Sequence, residues 1–223
     1  MLKYLLLAYL IGSLPTAYLV TRLFGKRDIR KIGSRNVGAT NVVAQVGWLP
    51  GILTLLGDMG KGYLAALTGS ISAAPILPFL MPAVAIAGHN WPVWLRFHGG
   101  GGLATFVGGC LALTNWNLVV PIVSIGLWGL VYLFIRDHDR SAVVTCVLLP
   151  CAALVANQPA PTVTFVATSS LMILLRRVQS IKQRVRQQVL SWKDELSGKR
   201  GSGDSGCPGD PGSAAGQDEA PQQ

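Results

Sequence analysis

Long apolar runs alternate with short polar loops along most of the chain. The runs fall at about 2–22, 50–72, 73–93, 103–115, 117–135, 141–157 and 160–176. A helix needs roughly 20 apolar residues to cross a bilayer. The pattern therefore predicts an all-α integral membrane protein with about seven transmembrane helices; six is the alternative, because several runs are short. Pro75, Pro78, Pro82, Pro92 and Pro121 predict kinked or broken helices. No Lys, Arg, Asp or Glu occurs from 62 to 95, so no charge marks where the second run ends.

Beyond the last run, Val178, Ile181, Val185, Val189 and Trp192 recur at helical spacing among basic residues. They predict a basic amphipathic helix over 178–197, suited to an anionic membrane surface. From 198 to 223 the chain turns to Gly, Ser, Asp, Pro and Gln, the composition of a disordered tail. The spanning part is thus residues 1–177.

Charge orients this arrangement. Seven spans put the termini on opposite sides. With the N-terminus outside, 18 of the 19 Lys and Arg residues, all but Lys3, fall on one side. That side is expected to be cytoplasmic, and the polar loops and C-terminus lie on it. Arg22 and Lys26 follow the first run as they would follow a retained span, not a cleaved signal.

Composition agrees. Half of the 223 residues are hydrophobic, 13% are charged and mean hydropathy is +0.44, which excludes an ordinary soluble domain. The net charge of +9 sits in loops and tail between apolar runs, a topology pattern and not a nucleic-acid surface. Cys110, Cys146, Cys151 and Cys207 form no CxxC pair, and no HExxH or EF-hand pattern occurs, so no metal is expected.

Three polar segments could carry chemistry. Gly99, Gly100, Gly101 and Gly102 stand beside His89, Arg96 and His98, with a helix expected to start near Leu103 and to carry Thr105 in its first turn. Glycine backbone can turn its N–H groups onto an anion, and a helix start favours the same place. The alternative is a flexible loop between spans. Residues 28–42 hold Arg30, Lys31 and Arg35, suited to phosphate, with Ser34, Asn36, Thr40 and Asn41 suited to orienting oxygens. The alternative there is a capped helix start with topological charge. Asp58 and Lys61 share one helix face, either as functional groups entering a span or as an anchoring ion pair. Asp137, His138 and Asp139 read as a solvated loop.

Together these segments resemble the membrane acyl-phosphate:glycerol-3-phosphate acyltransferases, the PlsY family, over roughly residues 2–182. The matching residues are Asp28, Arg30, Gly33-Ser34, Asn36 and Gly38 to Asn41; Asp58 and Lys61-Gly62; then Gly88-His89, Trp91 to Val93, Phe97, Gly99-Gly100, Gly102 and Ala104-Thr105. The resemblance implies transfer of an acyl group from acyl phosphate to the 1-hydroxyl of glycerol 3-phosphate, giving lysophosphatidic acid and phosphate. It implies no cofactor, cytoplasmic site loops in a bacterial inner membrane, and a soluble acyl-phosphate-producing enzyme as partner beside the membrane lipids. Catalytic roles would fall to Ser34, Lys61 and His89. Substrate binding would fall to Arg30, Arg35, Asn36, Thr40, Asn41, Asp58, Gly99 to Gly102, Thr105 and Arg177.

The chain departs from the family pattern at named places. Gly101 stands for Lys, Ala44 for Arg, Arg35 for Gly and His98 for Lys; Arg177, Gln179 and Ser180 stand for His, an acidic residue and Asn. Arg35, Arg177 and His98 are candidates to restore positive charge. The departures keep open a catalytically impaired paralogue that binds phosphate-bearing lipid precursors. A small anion transporter is the third reading, opposed by polar groups that cluster at one surface and by the lack of a repeat.

Overall fold

The computed structural model describes residues 1–113 and 119–201. Among these the regular structure is helical: α1 (Leu2–Ser13), α2 (Thr16–Gly25), α3 (Ala39–Gln45), α4 (Trp48–Ser70), α5 (Leu77–Asn90), α6 (Leu103–Leu113), α7 (Val119–Ile135), α8 (His138–Val155) and α9 (Ala160–Gly201). The parts of the expected 103–115 and 117–135 runs at residues 114–118, and the tail from 202, lie outside the described residues.

The first apolar run is not one helix. Pro15 pushes Leu14 out of the helical region, to φ −54° and ψ 121°, and the chain restarts as α2. Toward its end the chain departs from expectation in the other direction. The apolar run 160–176 and the basic helix from 178 are parts of one uninterrupted α9. Residues Met1–Ile181 form one compact unit, and the described residues from Lys182 belong to a separate one.

Small residues let the helices of the first unit approach closely. A Cβ on Gly62 would overlap the Thr105 carbonyl, and one on Gly108 the Met59 carbonyl, so α4 and α6 touch backbone to backbone. Gly12 and Gly88 do the same for α1 and α5. Between the backbones sit three apolar clusters. One joins α6, α8 and α9 through Phe106, Cys146, Leu149, Phe165 and Ile173. A second joins α1, α4 and α5 through Ala8, Ala65 and Met81. The third places Ile29, Val37 and Val42 against Ala17 and Leu95, which ties the first polar loop to the segment before the glycines.

Elsewhere the apolar surface faces outward: Phe134 is 82% exposed and Leu133 68%. In water such surface would be a liability; against lipid it is the expected outer face. Leu2–Gly25, across its proline break, and His138–Val155 are long and apolar enough to cross a membrane, while Leu103–Leu113 and Val120–Ile135 are apolar but shorter.

Candidate active site

The buried centre of the molecule is ionic. Asp58 and Lys61 lie one turn apart on α4, with Lys61 Nζ donating to Asp58 Oδ1 at 2.7 Å. The two are 2% and 4% exposed, so this is no interfacial anchor. Thr16, released by the break after Pro15, joins them. Its Oγ1 accepts from Lys61 Nζ at 3.0 Å and its hydroxyl donates to Asp58 Oδ1. From α5, His89 Nδ1 lies 3.4 Å from the same carboxylate oxygen. Two of the three Lys61 N–H donors thus meet Asp58 and Thr16, and Asp58 links Lys61 to His89.

His89 points its other nitrogen at the glycine loop: a Cβ on Gly100 would overlap His89 Nε2 and stand 2.5 Å from the Val37 carbonyl. One glycine thus sits between the first polar loop and the ionic centre, with no room for a side chain. The loop is tied down by its own N–H groups. Gly99 donates to the Asn90 carbonyl at 3.2 Å and Gly100 to the His89 carbonyl at 3.1 Å. The expected nest of four glycine N–H groups is corrected to a shorter one. Among the described residues, the N–H groups of Gly101 and Gly102 reach no backbone or side-chain acceptor. Gly102, at φ +81°, turns the chain into α6, whose first N–H groups have no intrahelical partner. Two buried oxygens border this turn without a partner, Asn90 Oδ1 and Thr105 Oγ1. The free N–H groups and the Thr105 hydroxyl can donate to an anion at this helix start, whereas Asn90 Oδ1 can only accept.

The fourth wall comes from α9, 75 or more residues away. Arg176 donates through Nη2 to the Gly99 carbonyl at 2.7 Å and through Nε to the Gly100 carbonyl at 3.0 Å. Arg177 is 6% exposed; its guanidinium carbon would lie 2.7 Å from a Cβ on Gly101. Its Nη1 binds Asp139 Oδ1 at 2.5 Å, and Ser180 Oγ donates to Asp139 Oδ2 at 3.2 Å. Asp139 is 6% exposed, which corrects the expected solvated loop: only Asp137 acts as a turn residue, capping α8. Gln179 accepts from Trp91 Nε1 at 2.9 Å, so a further position that departs from the family pattern braces the loop as well.

The first polar loop is built around Asn41. Its Nδ2 donates to the carbonyls of Ile29, Ile32 and Asn36, and its Oδ1 accepts from the Ser34 N–H. Both ends of the carboxamide are spent inside the loop, so Asn41 shapes it; this corrects its expected place on the substrate. Asp28 caps the 3₁₀ turn at Ile29–Lys31 and grips Arg30 through two bonds, 3.0 and 2.7 Å. These bonds hold the Asp28 carboxyl below the ordinary carboxylate range. Arg30 also stacks on Tyr18. Ser34, Arg35 and Thr40 are exposed and Asn36 is half-buried, with Arg35 at φ +59°. They stand on the loop whose Val37 meets Gly100.

Below the glycine turn, a cavity of about 90 Å³ opens between α6, α7, α8 and α9. Leu103, Phe106, Trp128, Ala142, Cys146 and Leu149 are among its walls, so it is apolar along most of its length.

Of the residues expected at the site, Asp58, Lys61, His89, Gly100, Gly101 and Arg177 are brought into contact with one another or with the glycine loop, while the Ser34 side chain is exposed on the first loop. Sequence reasoning missed Thr16, Asn90, Asp139 and Arg176. Pro15 was the available signal for Thr16. Nothing in the sequence connects Asp139 with Arg177 before the helices are packed.

Known proteins resemble this chain in sequence and fold. The family model described as glycerol-3-phosphate acyltransferase matches residues 2–187. Glycerol-3-phosphate acyltransferase 2 of Moorella thermoacetica is 41% identical over 167 residues, covering 74% of this chain and 84% of that protein. The glycerol-3-phosphate acyltransferase of Rubrobacter xylanophilus is 36% identical over 202 residues, covering 89% and 96%. Among solved structures, the glycerol 3-phosphate form of PlsY (YgiH), an integral membrane glycerol 3-phosphate acyltransferase, superposes with a TM-score of 0.69 at 26% identity, covering 83% of this chain and 92% of that one. Its lysophosphatidic acid form gives 0.68. With a fold of that kind and a family match over most of its length, the chain belongs to the glycerol-3-phosphate acyltransferase (PlsY) family.

Proposed function

We propose that this protein is a membrane glycerol-3-phosphate acyltransferase that takes its acyl group from acyl phosphate and gives lysophosphatidic acid and phosphate. The observation that carries the donor assignment is the glycine turn. It offers free N–H groups at the start of α6, the Arg176 guanidinium on the Gly99 and Gly100 carbonyls and an apolar cavity directly below. An acyl phosphate has a phosphate for the first two and a chain for the third.

The reaction asks little covalent chemistry of the protein. The glycerol 1-oxygen bonds to the acyl carbon, the acyl-to-phosphate C–O bond breaks, and a phosphate oxygen takes the hydroxyl proton. The mixed anhydride is already activated, so positioning and charge stabilisation supply the catalysis. In this scheme Gly101, Gly102 and the first turn of α6 hold the donor phosphate, with Thr105 and Arg177 beside them. Gly99 and Gly100 shape the turn. Arg30, Arg35, Asn36 and Thr40 hold glycerol 3-phosphate on the first loop, and Ser34 orients an oxygen at the reacting centre. Asp58 and Lys61 act through His89. The catalytically impaired alternative is not favoured, because the relatives that this chain resembles over most of its length are glycerol-3-phosphate acyltransferases.

The same reading extends to the cell. Residues 1–177 are the membrane-embedded enzyme, in a bacterial inner membrane with the motif loops cytoplasmic, and 178–197 place basic charge at the anionic inner surface. A soluble enzyme supplies acyl phosphate.

The test is turnover in lipid nanodiscs, measured as phosphate release and lysophosphatidic acid formation. Wild type is expected to turn over, and Ser34→Ala to lower kcat about a hundredfold with its melting temperature unchanged, as loss of one oxygen-orienting donor does. Equal turnover in a folded Ser34→Ala would remove Ser34 from the chemistry; no turnover in folded wild type would remove the function.

The cavity makes a separate prediction. Ala142→Leu adds volume to its wall, so the ratio of turnover on short to long acyl phosphates is expected to rise about tenfold, the scale set by a few methylenes in a filled pocket. An unchanged ratio would place the chain elsewhere.

A further inference from the structure

The glycine turn is made of residues that hold no shape of their own. Glycine loses more conformational freedom on folding than any other residue. Something else must fix the peptide planes, and two N–H bonds, from Gly99 and Gly100, fix only one side of them. The other side is held by Arg176, which no motif pointed to. Its planar fork takes two successive carbonyls, Gly99 at 2.7 Å and Gly100 at 3.0 Å.

We propose that Arg176 is a positioning residue for the site: by gripping the Gly99 and Gly100 carbonyls it aims the Gly101 N–H at the bound phosphate. The reason is peptide geometry. In a trans peptide the C=O and N–H point in opposite directions within one plane. A Gly100 carbonyl held on Arg176 turns the Gly101 N–H away from α9, and that N–H is the first in the loop without an internal acceptor. Charge separates Arg176 from its neighbour. Arg177 is neutralised by Asp139. Among the described residues no carboxylate pairs with Arg176, so its positive charge remains at the turn. A half-buried guanidinium satisfied by carbonyls alone leaves a net field that favours a phosphate on the far side of the same peptides.

Arginine is required for this. A lysine keeps the charge but presents a single ammonium in place of a rigid two-pronged fork. The inference rests on the glycine turn being the phosphate site, and the test separates the two. Full-length wild type, Arg176→Lys and Arg176→Gln are placed in nanodiscs. Melting is read first, then inorganic phosphate affinity, then turnover. Both variants are expected to melt near wild type, to bind phosphate about tenfold more weakly, the scale of one lost charge-assisted bond, and to lose kcat more than they raise KM for glycerol 3-phosphate. Wild-type affinity in Arg176→Lys would reduce the role to charge and overturn positioning. Lost melting with unchanged phosphate affinity in the folded fraction, or loss of fold in both variants, would make Arg176 merely structural and overturn it as well. Weakened phosphate binding in the variants with no turnover in wild type would leave Arg176 in place and remove the acyltransferase reading instead.

Discussion

Asp58→Ala is expected to remove most of the folded protein. Its carboxylate is 2% exposed and receives Lys61, Thr16 and the Nδ1 edge of His89. Deleting it leaves a buried ammonium with one hydroxyl for company. Breaking one partner of a buried pair costs about 3–5 kcal/mol, a large share of a total stability of about 5–15 kcal/mol. The pair itself is no source of surplus stability, since desolvation offsets most of its attraction. Two expectations follow for yield and melting temperature in nanodiscs. Asp58→Ala alone falls far below wild type. The double variant Asp58→Leu with Lys61→Met, apolar and similar in volume, recovers the fold but not turnover, because His89 has lost what orients it. Were Asp58 and Lys61 an interfacial anchor, the single variant would lie within about 1 kcal/mol of wild type; that result would sink the buried-centre account.

The same cluster shows where sequence reading stopped. The spacing of Asp58 and Lys61 put them on one helix face, which is a local property and was legible. Whether that face met lipid headgroups or other helices depended on α2 and α5, which pack only in three dimensions. Thr16 was hidden inside an apolar run whose hydropathy spoke for one continuous helix; Pro15 outweighed it. At the other end, hydropathy fell sharply near residue 177 and suggested a boundary, yet hydrogen bonding along α9 is indifferent to polarity and the helix continues. The glycine loop is the mixed case. Four glycines signalled a backbone turn, and the loop does turn at Gly102. Which N–H groups stay free was decided by the carbonyls of His89 and Asn90, and those are set by where α5 ends. Arg177 was legible as a departure from a family pattern; that it lands on Gly101, itself a departure, required the packing of α9 against the loop.

Gly100→Ala is expected to lower turnover about a hundredfold while leaving most of the fold intact. The added Cβ would overlap His89 Nε2 and stand 2.5 Å from the Val37 carbonyl. The Val37 side is backbone and His89 is held by Asp58, so neither neighbour yields easily. The loop must move instead, and every group it carries moves with it: the Arg176 carbonyl grip, the free N–H of Gly101 and the turn at Gly102. A displacement near 1 Å at a positioned site costs about a hundredfold in rate. Gly60→Ala supplies the contrast. That glycine also lies on a polar stretch of α4, but a Cβ there meets nothing within 4 Å. Removing a helical glycine stabilises by up to about 1 kcal/mol, so this variant is expected to melt slightly higher and turn over as wild type does. Phosphate release by the two variants, each normalised to folded protein, decides the matter. If Gly100→Ala turned over within a factor of about three of Gly60→Ala, the glycine turn would be too pliant to be aiming anything. Loss confined to Gly100→Ala would show that turnover depends on the shape of the turn where the first loop, His89 and α9 meet.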